Sequence, residues 1–203
     1  MGLRQESASL ATIRLATVDD AGQILDVYAP FCRDTFITFE TVAPTLEEMK
    51  SRIETKGGFY PWLVCEGPRV LGYARAAQHR ERAAYQWAAD VSVYVVDEHR
   101  RRGLGRALYT ALLGILKLQG FLRVCAGIAL PNPGSVALHE AMGFHAVGIF
   151  HSIGYKLGRW HDVGWWQLTL GHTDGDPPFP TSVGQIDPRD LSFTISAGEA
   201  LLP

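Results

Sequence analysis

Val93-Tyr-Val-Val-Asp-Glu-His-Arg100-Arg-Arg-Gly103-Leu-Gly105-Arg106 runs from a β-branched strand through a basic, glycine-bearing loop into an apolar helix. Free amides at a helix N-terminus carry about half a positive charge and attract anions. Glycines at 103 and 105 let phosphates approach the backbone closely. Between His99 and His139 there is no Asp or Glu, while Arg100, Arg101, Arg102, Arg106, Lys117 and Arg123 all fall there. The loop is therefore read as a pyrophosphate site. A dinucleotide GxGxxG motif fails because Leu108 takes the third glycine position, and no Gly-Lys-Ser/Thr completes a Walker A loop. The competing readings are a solvated helix start and a nucleic-acid patch, and one basic cluster at net charge −2 supports the latter thinly.

Outward from this loop, 203 residues suit one domain with some excess. With 47% hydrophobic and 20% charged residues the chain is not generally disordered. Three separated cysteines, Cys32, Cys65 and Cys125, form no CxxC pair and argue for reduced thiols. The longest apolar run, Ala107 to Leu116, falls short of the ~20 residues of a membrane span. The N-terminus lacks the apolar core of a signal peptide, and Glu6 spoils a myristoylation pattern. The expectation is a cytoplasmic protein with no membrane partner.

Periodicity predicts a strand over Ile13 to Ala16, a helix over Ala21 to Phe31, and a second helix opened by the Thr45-Leu-Glu-Glu48 capping box and stopped at Gly57-Gly58. Strands follow at Trp62 to Cys65, Val70 to Ala77 and Trp87 to Val96, then a helix from Gly103 to Leu118 ended by Gly120. A strand over Leu122 to Leu130, a helix over Pro133 to Met142, and strands to Phe150 and over Asp162 to Leu170 complete a β-α-α-β-β-β-α-β-α-β-β order. This is a mixed, mostly antiparallel α/β sheet flanked by helices in a single domain over 13–170. Residues 1–12 form an N-terminal extension. Residues 171–203, with three prolines between Asp174 and Pro180 and no sustained helical stripe, form a C-terminal tail that either packs on the surface or stays mobile, and whose deletion from Asp174 on is expected to leave a folded, active domain.

His139-Glu-Ala-Met-Gly143 imitates a zincin HExxH but lacks the second histidine, and His145, His151 and His161 are scattered, so no metal is expected. The cysteines read as small hydrophobes. Asp90 shares a strand face with Ser92 and Tyr94, opposite Ala89, Val91 and Val93. A carboxylate in mid-strand is costly unless hydrogen-bonded, paired or functional, which leaves a general base or a structural ion pair.

Arg100-Arg-Arg-Gly103-Leu-Gly105, followed by Asn132-Pro-Gly-Ser135 and ending in Gly143-Phe144, resembles the two acetyl-CoA motifs of the GNAT superfamily of N-acetyltransferases. Tyr60-Pro-Trp-Leu-Val64, Ser92-Val-Tyr-Val95, Leu138-His-Glu-Ala141 and Gly158-Arg-Trp-His-Asp-Val-Gly-Trp-Trp-Gln167 are similar to the phosphinothricin and methionine sulfoximine N-acetyltransferases within it. The resemblance implies acetyl-CoA as co-substrate. The backbone of Val93, Tyr94 and Val95 would meet its pantetheine arm, the loop from Arg100 through Arg101, Arg102, Gly103, Leu104 and Gly105 to Arg106 its pyrophosphate, and Asn132 and Ser135 its other polar groups. Asp90 stands where these enzymes place a glutamate base. Arg80 and Arg82 match residues holding the acidic end of an amino-acid substrate, and Phe39, Tyr85 and Val163 fall at pocket positions.

Two departures stand out. Asp90 is one methylene shorter than glutamate, roughly 1.5 Å of reach, so proton transfer is direct or through water. His139 occupies the position of a tyrosine acid, which leaves Tyr94, His139 or solvent to protonate the leaving thiolate. The implied reaction is direct attack of an α-amine in a ternary complex, in a homodimer as is common among relatives. The alternatives are a CoA-binding sensor without turnover and an acetyltransferase for another small amine.

Overall fold

A computed structural model describes residues 11–54 and 58–203. Residues 1–10 of the expected extension, and Gly57 of the expected helix stop, lie outside the described residues. Seven strands, β1 (Thr12–Leu15), β2 (Trp62–Glu66), β3 (Val70–Gln78), β4 (Ala88–Val95), β5 (Arg123–Leu130), β6 (His145–Lys156) and β7 (Arg159–Thr169), form one sheet in the order β1-β2-β3-β4-β5-β7-β6. Every pairing is antiparallel except β4 with β5. The helices are α1 (Ala21–Asp34), α2 (Leu46–Glu54), α3 (Leu104–Gln119), α4 (Pro133–Ala141) and α5 (Pro188–Glu199). The expected α/β order is present, with α5 added.

The sheet has a core on each face. Ile24, Val27 and Tyr28 of α1 and Met49 of α2 pack on Val64 and Tyr73. On the other face Leu108, Leu112, Ile115 and Leu116 of α3 meet Leu63, Ala74, Ala89, Val91 and Val124. Full burial of each such aliphatic side chain contributes about 1.5–3 kcal/mol, which fixes the strand register against slipping. The α2 capping box forms as read, with Glu48 N donating to Thr45 Oγ1 at 3.2 Å and Thr45 N to Glu48 Oε2 at 2.7 Å.

Two elements differ from the sequence reading. Strand β6 does not stop near Phe150. It continues past two register shifts to Lys156, pairing Tyr155 with Trp160 and Lys156 with Arg159 across the turn. Residues 171–203 contain a helix that the sequence reading did not expect, and they pack: α5 lies along α3 with Gly198 against Ala107 and Ala111 and Thr194 against Gly114, so the expectation that the segment is dispensable is revised. Its contact stripe, Leu191, Thr194, Ile195 and Gly198, has helical spacing, but two of the four residues are not apolar, so the pattern was hidden. The preceding residues are pinned as well. Trp87 Nε1 donates to Pro178 O at 2.8 Å and stacks on Phe179, and Gln119 Nε2 donates to Thr181 O at 2.7 Å.

Candidate functional site

Strands β4 and β5 pair only from Ala88–Arg123 to Asp90–Cys125 and then part. Past Asp90, one edge of β4 therefore has no strand beside it, and the backbone of Val93 to Val95 faces a groove of about 330 Å³. The floor of this groove is the α3 N-terminus. Gly103 caps the helix at φ +90°, in the left-handed region that glycine adopts without strain, and Arg101 also has positive φ. Ala107 N makes the first α-helical hydrogen bond, to Gly103 O at 2.9 Å, so the amides of residues 104–106 have no helical acceptor. The far wall is α4, whose start is capped by Asn132 Oδ1 accepting from Ser135 N at 3.2 Å. That bond leaves the Asn132 amide nitrogen to meet a ligand. Arg100 is held at the mouth by Asp97, at 2.8 Å, with its guanidinium over the Phe31 ring. The groove thus gathers Val93, Tyr94, Val95, Arg100, Arg101, Gly103, Leu104, Gly105, Arg106, Asn132 and Ser135.

One face of the sheet leads from this groove to Asp90. Cross-strand register puts Arg75 and Ala77, Asp90 and Ser92, Cys125 and Gly127, and Trp165 and Gln167 on the same side. Asp90 Oδ1 lies 2.6 Å from His79 Nδ1, a charge-assisted hydrogen bond at the end of β3. Burial pushes the Asp90 carboxyl above the usual carboxylate range, and His79 and then Arg80 and Arg75 pull it back. The donor atoms of His79, Asp90 and Cys125 all lie within 4.8 Å of one another. The 2.6 Å contact is a hydrogen bond, and burial raises the Cys125 thiol to about 11, so at neutral pH the sulfur keeps its proton and is a poor ligand or nucleophile. His79 also meets the Tyr85 ring edge-on, with centroids 5.7 Å apart, and the Trp165 ring at 6.1 Å. Arg80 stacks 5.7 Å over Trp165.

A strand splayed from its parallel neighbour over a helix N-terminus, with a carboxylate at the fork, agrees with what the family profile for "Acetyltransferase (GNAT) domain" finds over residues 13–165. The chain belongs to the GNAT acetyltransferase family. It is 43% identical over 156 residues to a phosphinothricin N-acetyltransferase of Streptomyces viridochromogenes, covering 76% of this chain and 85% of that one. It is 33% identical over 170 residues to an L-methionine sulfoximine/L-methionine sulfone acetyltransferase of Pseudomonas aeruginosa, covering 82% and 99%. The fold superposes with a TM-score of 0.80, at 34% identity and 88% and 96% coverage, on a phosphinothricin acetyltransferase from Sinorhizobium meliloti solved in complex with AcCoA.

Within this GNAT domain three expected site residues stand elsewhere. Arg102 is exposed and, unlike Arg101 and Arg106, does not line the groove. His139 is only 3% exposed, with Nε2 at 3.1 Å from the Tyr109 hydroxyl and Nδ1 at 2.7 Å from Ser135 O. Both ring nitrogens are engaged and burial lowers its pKa, and the ring fastens α4 to α3 without lining the groove. Arg82 borders a separate depression with Phe59, Tyr60 and Gln86, away from Arg80. Tyr94 does line the groove, against Tyr28, Phe31 and Tyr73, and burial raises its phenol so that it stays a proton donor.

Several site residues escaped the sequence reading. Buried Lys156 donates to Thr38 O and Glu40 O, each at 2.7 Å, and so fixes the loop that sets Phe39 beside His161. His161 and Val163 lie on the same β7 face as Trp165, and Phe39 packs beside His161 at the end of that face. Trp165 Nε1 is a buried N–H without an acceptor among the described residues. Lys156 had no motif to announce it, and Trp165 was legible only as part of a family pattern. His79 directly precedes Arg80, and no local pattern marks it as a partner of Asp90.

Proposed function

We propose that this protein transfers the acetyl group of acetyl-CoA to the α-amine of a small amino acid carrying a second anionic or strongly polar group. The observation that carries this reading is the β4–β5 fork, where a groove built for a phosphate-bearing arm opens beside a buried carboxylate. Its chemistry fits acetyl-CoA. Free amides at 104–106, with Arg100, Arg101 and Arg106, suit the pyrophosphate, and the unpaired β4 edge suits the amides of pantetheine. When bound, acetyl-CoA supplies an activated thioester carbonyl.

The chain's residues do the rest. The substrate amine arrives protonated, and Asp90 with its partner His79 takes that proton, directly or through water. The neutral amine then attacks the thioester carbonyl, whose developing negative charge meets backbone N–H of β4 near Val93. Tyr94, a protonated phenol in the groove wall, returns a proton to the leaving sulfur. Orientation of the two reactants in one cleft, as a ternary complex, supplies much of the acceleration.

Thiol release from acetyl-CoA over a panel of amino acids and their decarboxylated amines tests the proposal. Phosphinothricin, methionine sulfoximine and methionine sulfone are expected to react, and simple amines poorly. Binding of acetyl-CoA without turnover for any amine would mean a sensor instead. Arg80, stacked on Trp165 beside His79, is the arginine expected to hold the substrate anion. Arg80→Ala should raise the amino-acid KM about tenfold or more, the ~1.5–3 kcal/mol of a charged hydrogen bond, while Arg82→Ala changes it less. Equal effects of the two would return the clamp to both arginines.

Gly105 supports the cofactor side of the reading. A Cβ there would come within 3.1 Å of Leu138 on α4 and narrow the groove between the two helices. Gly105→Val should weaken acetyl-CoA binding at least tenfold, about 1.4 kcal/mol, in a folded protein. Calorimetry with unchanged affinity would remove this loop from the site. The exposed apolar side chains Val147, Ile149, Phe150, Ile153, Tyr155 and Trp160 of the β6–β7 hairpin support a homodimer through this edge. Phe150→Asp with Ile153→Asp should then give a monomer in sedimentation velocity.

A further inference from the structure

We propose that Nε2 of His79 is the atom that accepts the ammonium proton, and that Asp90 is its positioning residue. This rests on the acetyltransferase reading above and names the base within it. The 2.6 Å contact joins Asp90 Oδ1 to His79 Nδ1, so an ionised Asp90 holds the proton of a neutral imidazole on Nδ1 and leaves the Nε2 lone pair free. Nε2 has no hydrogen-bond partner among the described residues. The His79 side chain is 16% exposed, against 28% for Asp90, and sits between Tyr85 and Trp165, where Arg80 also lies. The ring is therefore sheltered yet reachable, next to the group proposed to hold the substrate anion.

Chemistry favours the ring over the carboxylate. A neutral imidazole whose Nδ1 proton is held by Asp90 presents one in-plane lone pair at Nε2, which can take the ammonium proton directly. The ring also carries basicity beyond the reach of an aspartate that is one methylene shorter than glutamate. The proton moves from the substrate ammonium to Nε2, giving an imidazolium paired with the Asp90 carboxylate and a neutral amine. The C–N bond forms and the C–S bond breaks. The second amine proton is lost as the amide forms, the sulfur takes one from Tyr94, and His79 and Tyr94 are reset through solvent with one proton released overall. Besides each other, the titratable or charged neighbours of the pair are Cys125 on β5, Arg75 on β3, and Arg80, Tyr85 and Tyr60.

The test compares wild type, His79→Ala and His79→Gln in the thiol-release assay across pH, with and without added imidazole. The expected result for His79→Ala is a kcat loss of at least about 100-fold at pH 7. The acetyl-CoA KM should be unchanged, and activity partly restored by imidazole. His79→Gln can still donate to Asp90 but cannot take the proton, so it should be as slow as His79→Ala. Recovery of activity in His79→Gln would make Asp90 the base and overturn the proposal. So would a His79→Ala kcat within threefold of wild type, or a loss that imidazole does not relieve. Wild type without turnover for any amine would instead remove the acetyltransferase reading, and this inference with it.

Discussion

Asp90→Ala is expected to lower kcat by about 10²–10⁴ at neutral pH, because it breaks the Asp90–His79 pair that takes the ammonium proton, with little change in acetyl-CoA affinity. The deficit should shrink at high pH, where the substrate amine loses its proton unaided. The sign of the wild-type profile follows from burial. Burial raises the Asp90 carboxyl above its ordinary range, and only the ionised form can serve the reaction, so wild-type kcat/KM should rise as pH climbs through that raised value. A near-full rate for Asp90→Ala at pH 7 would remove Asp90 from the proton transfer.

Stability gives an independent check. A carboxyl with a raised folded-state pKa binds its proton more tightly folded than unfolded, so its contribution to stability falls as pH rises through that window. At neutral pH, therefore, Asp90→Asn should melt no lower than the parent while turning over far more slowly. Such a residue is retained for chemistry rather than for folding. A structural ion pair would give the opposite result, a loss of melting temperature with turnover spared.

Deleting residues 174–203 is expected to unfold the domain or lower its melting temperature by about 10 °C or more. Leu191, Ile195 and Leu202 are partly buried against the α3 face of the core, and Val183 is 8% exposed within it. Their loss amounts to about 4 kcal/mol, and a chain of this size shifts by about 2–4 °C per kcal/mol. The deletion also removes the carboxylate of Glu199, which accepts from Ile13 N at 2.8 Å, and so strips β1 of a partner. Leu201 O sits 3.3 Å from where a Gly103 Cβ would be, so the C-terminal segment also supports the turn at the mouth of the groove. Calorimetric melting of the truncated chain, compared with the full chain, measures the effect. An unchanged melting temperature would make α5 dispensable.

Local chemistry in the sequence determined much of this protein. Glycine at 103 and 105 after a β-branched strand, the arginine run without intervening acids, the Thr45 capping box and the alternation through Asp90 each act within a few residues. Their consequences, a helix N-terminus suited to anions and a carboxylate on the strand face opposite Ala89, Val91 and Val93, are legible in the sequence alone. What only the tertiary structure decided depends on residues distant in the chain. Parting of β4 from β5 after three paired residues, and not any motif, opens the groove. The meeting of His79 with Asp90 across two strands, and the separation of Arg80 from Arg82, follow from β3 ending at Gln78. Full engagement of both His139 nitrogens requires Tyr109 from another helix. Docking of α5 rests on Thr194 and Gly198 fitting the small residues of α3, a match of shapes that hydrophobic periodicity does not encode. Periodicity records which face of an element is buried, whereas partner, distance and proton are fixed only once the faces meet.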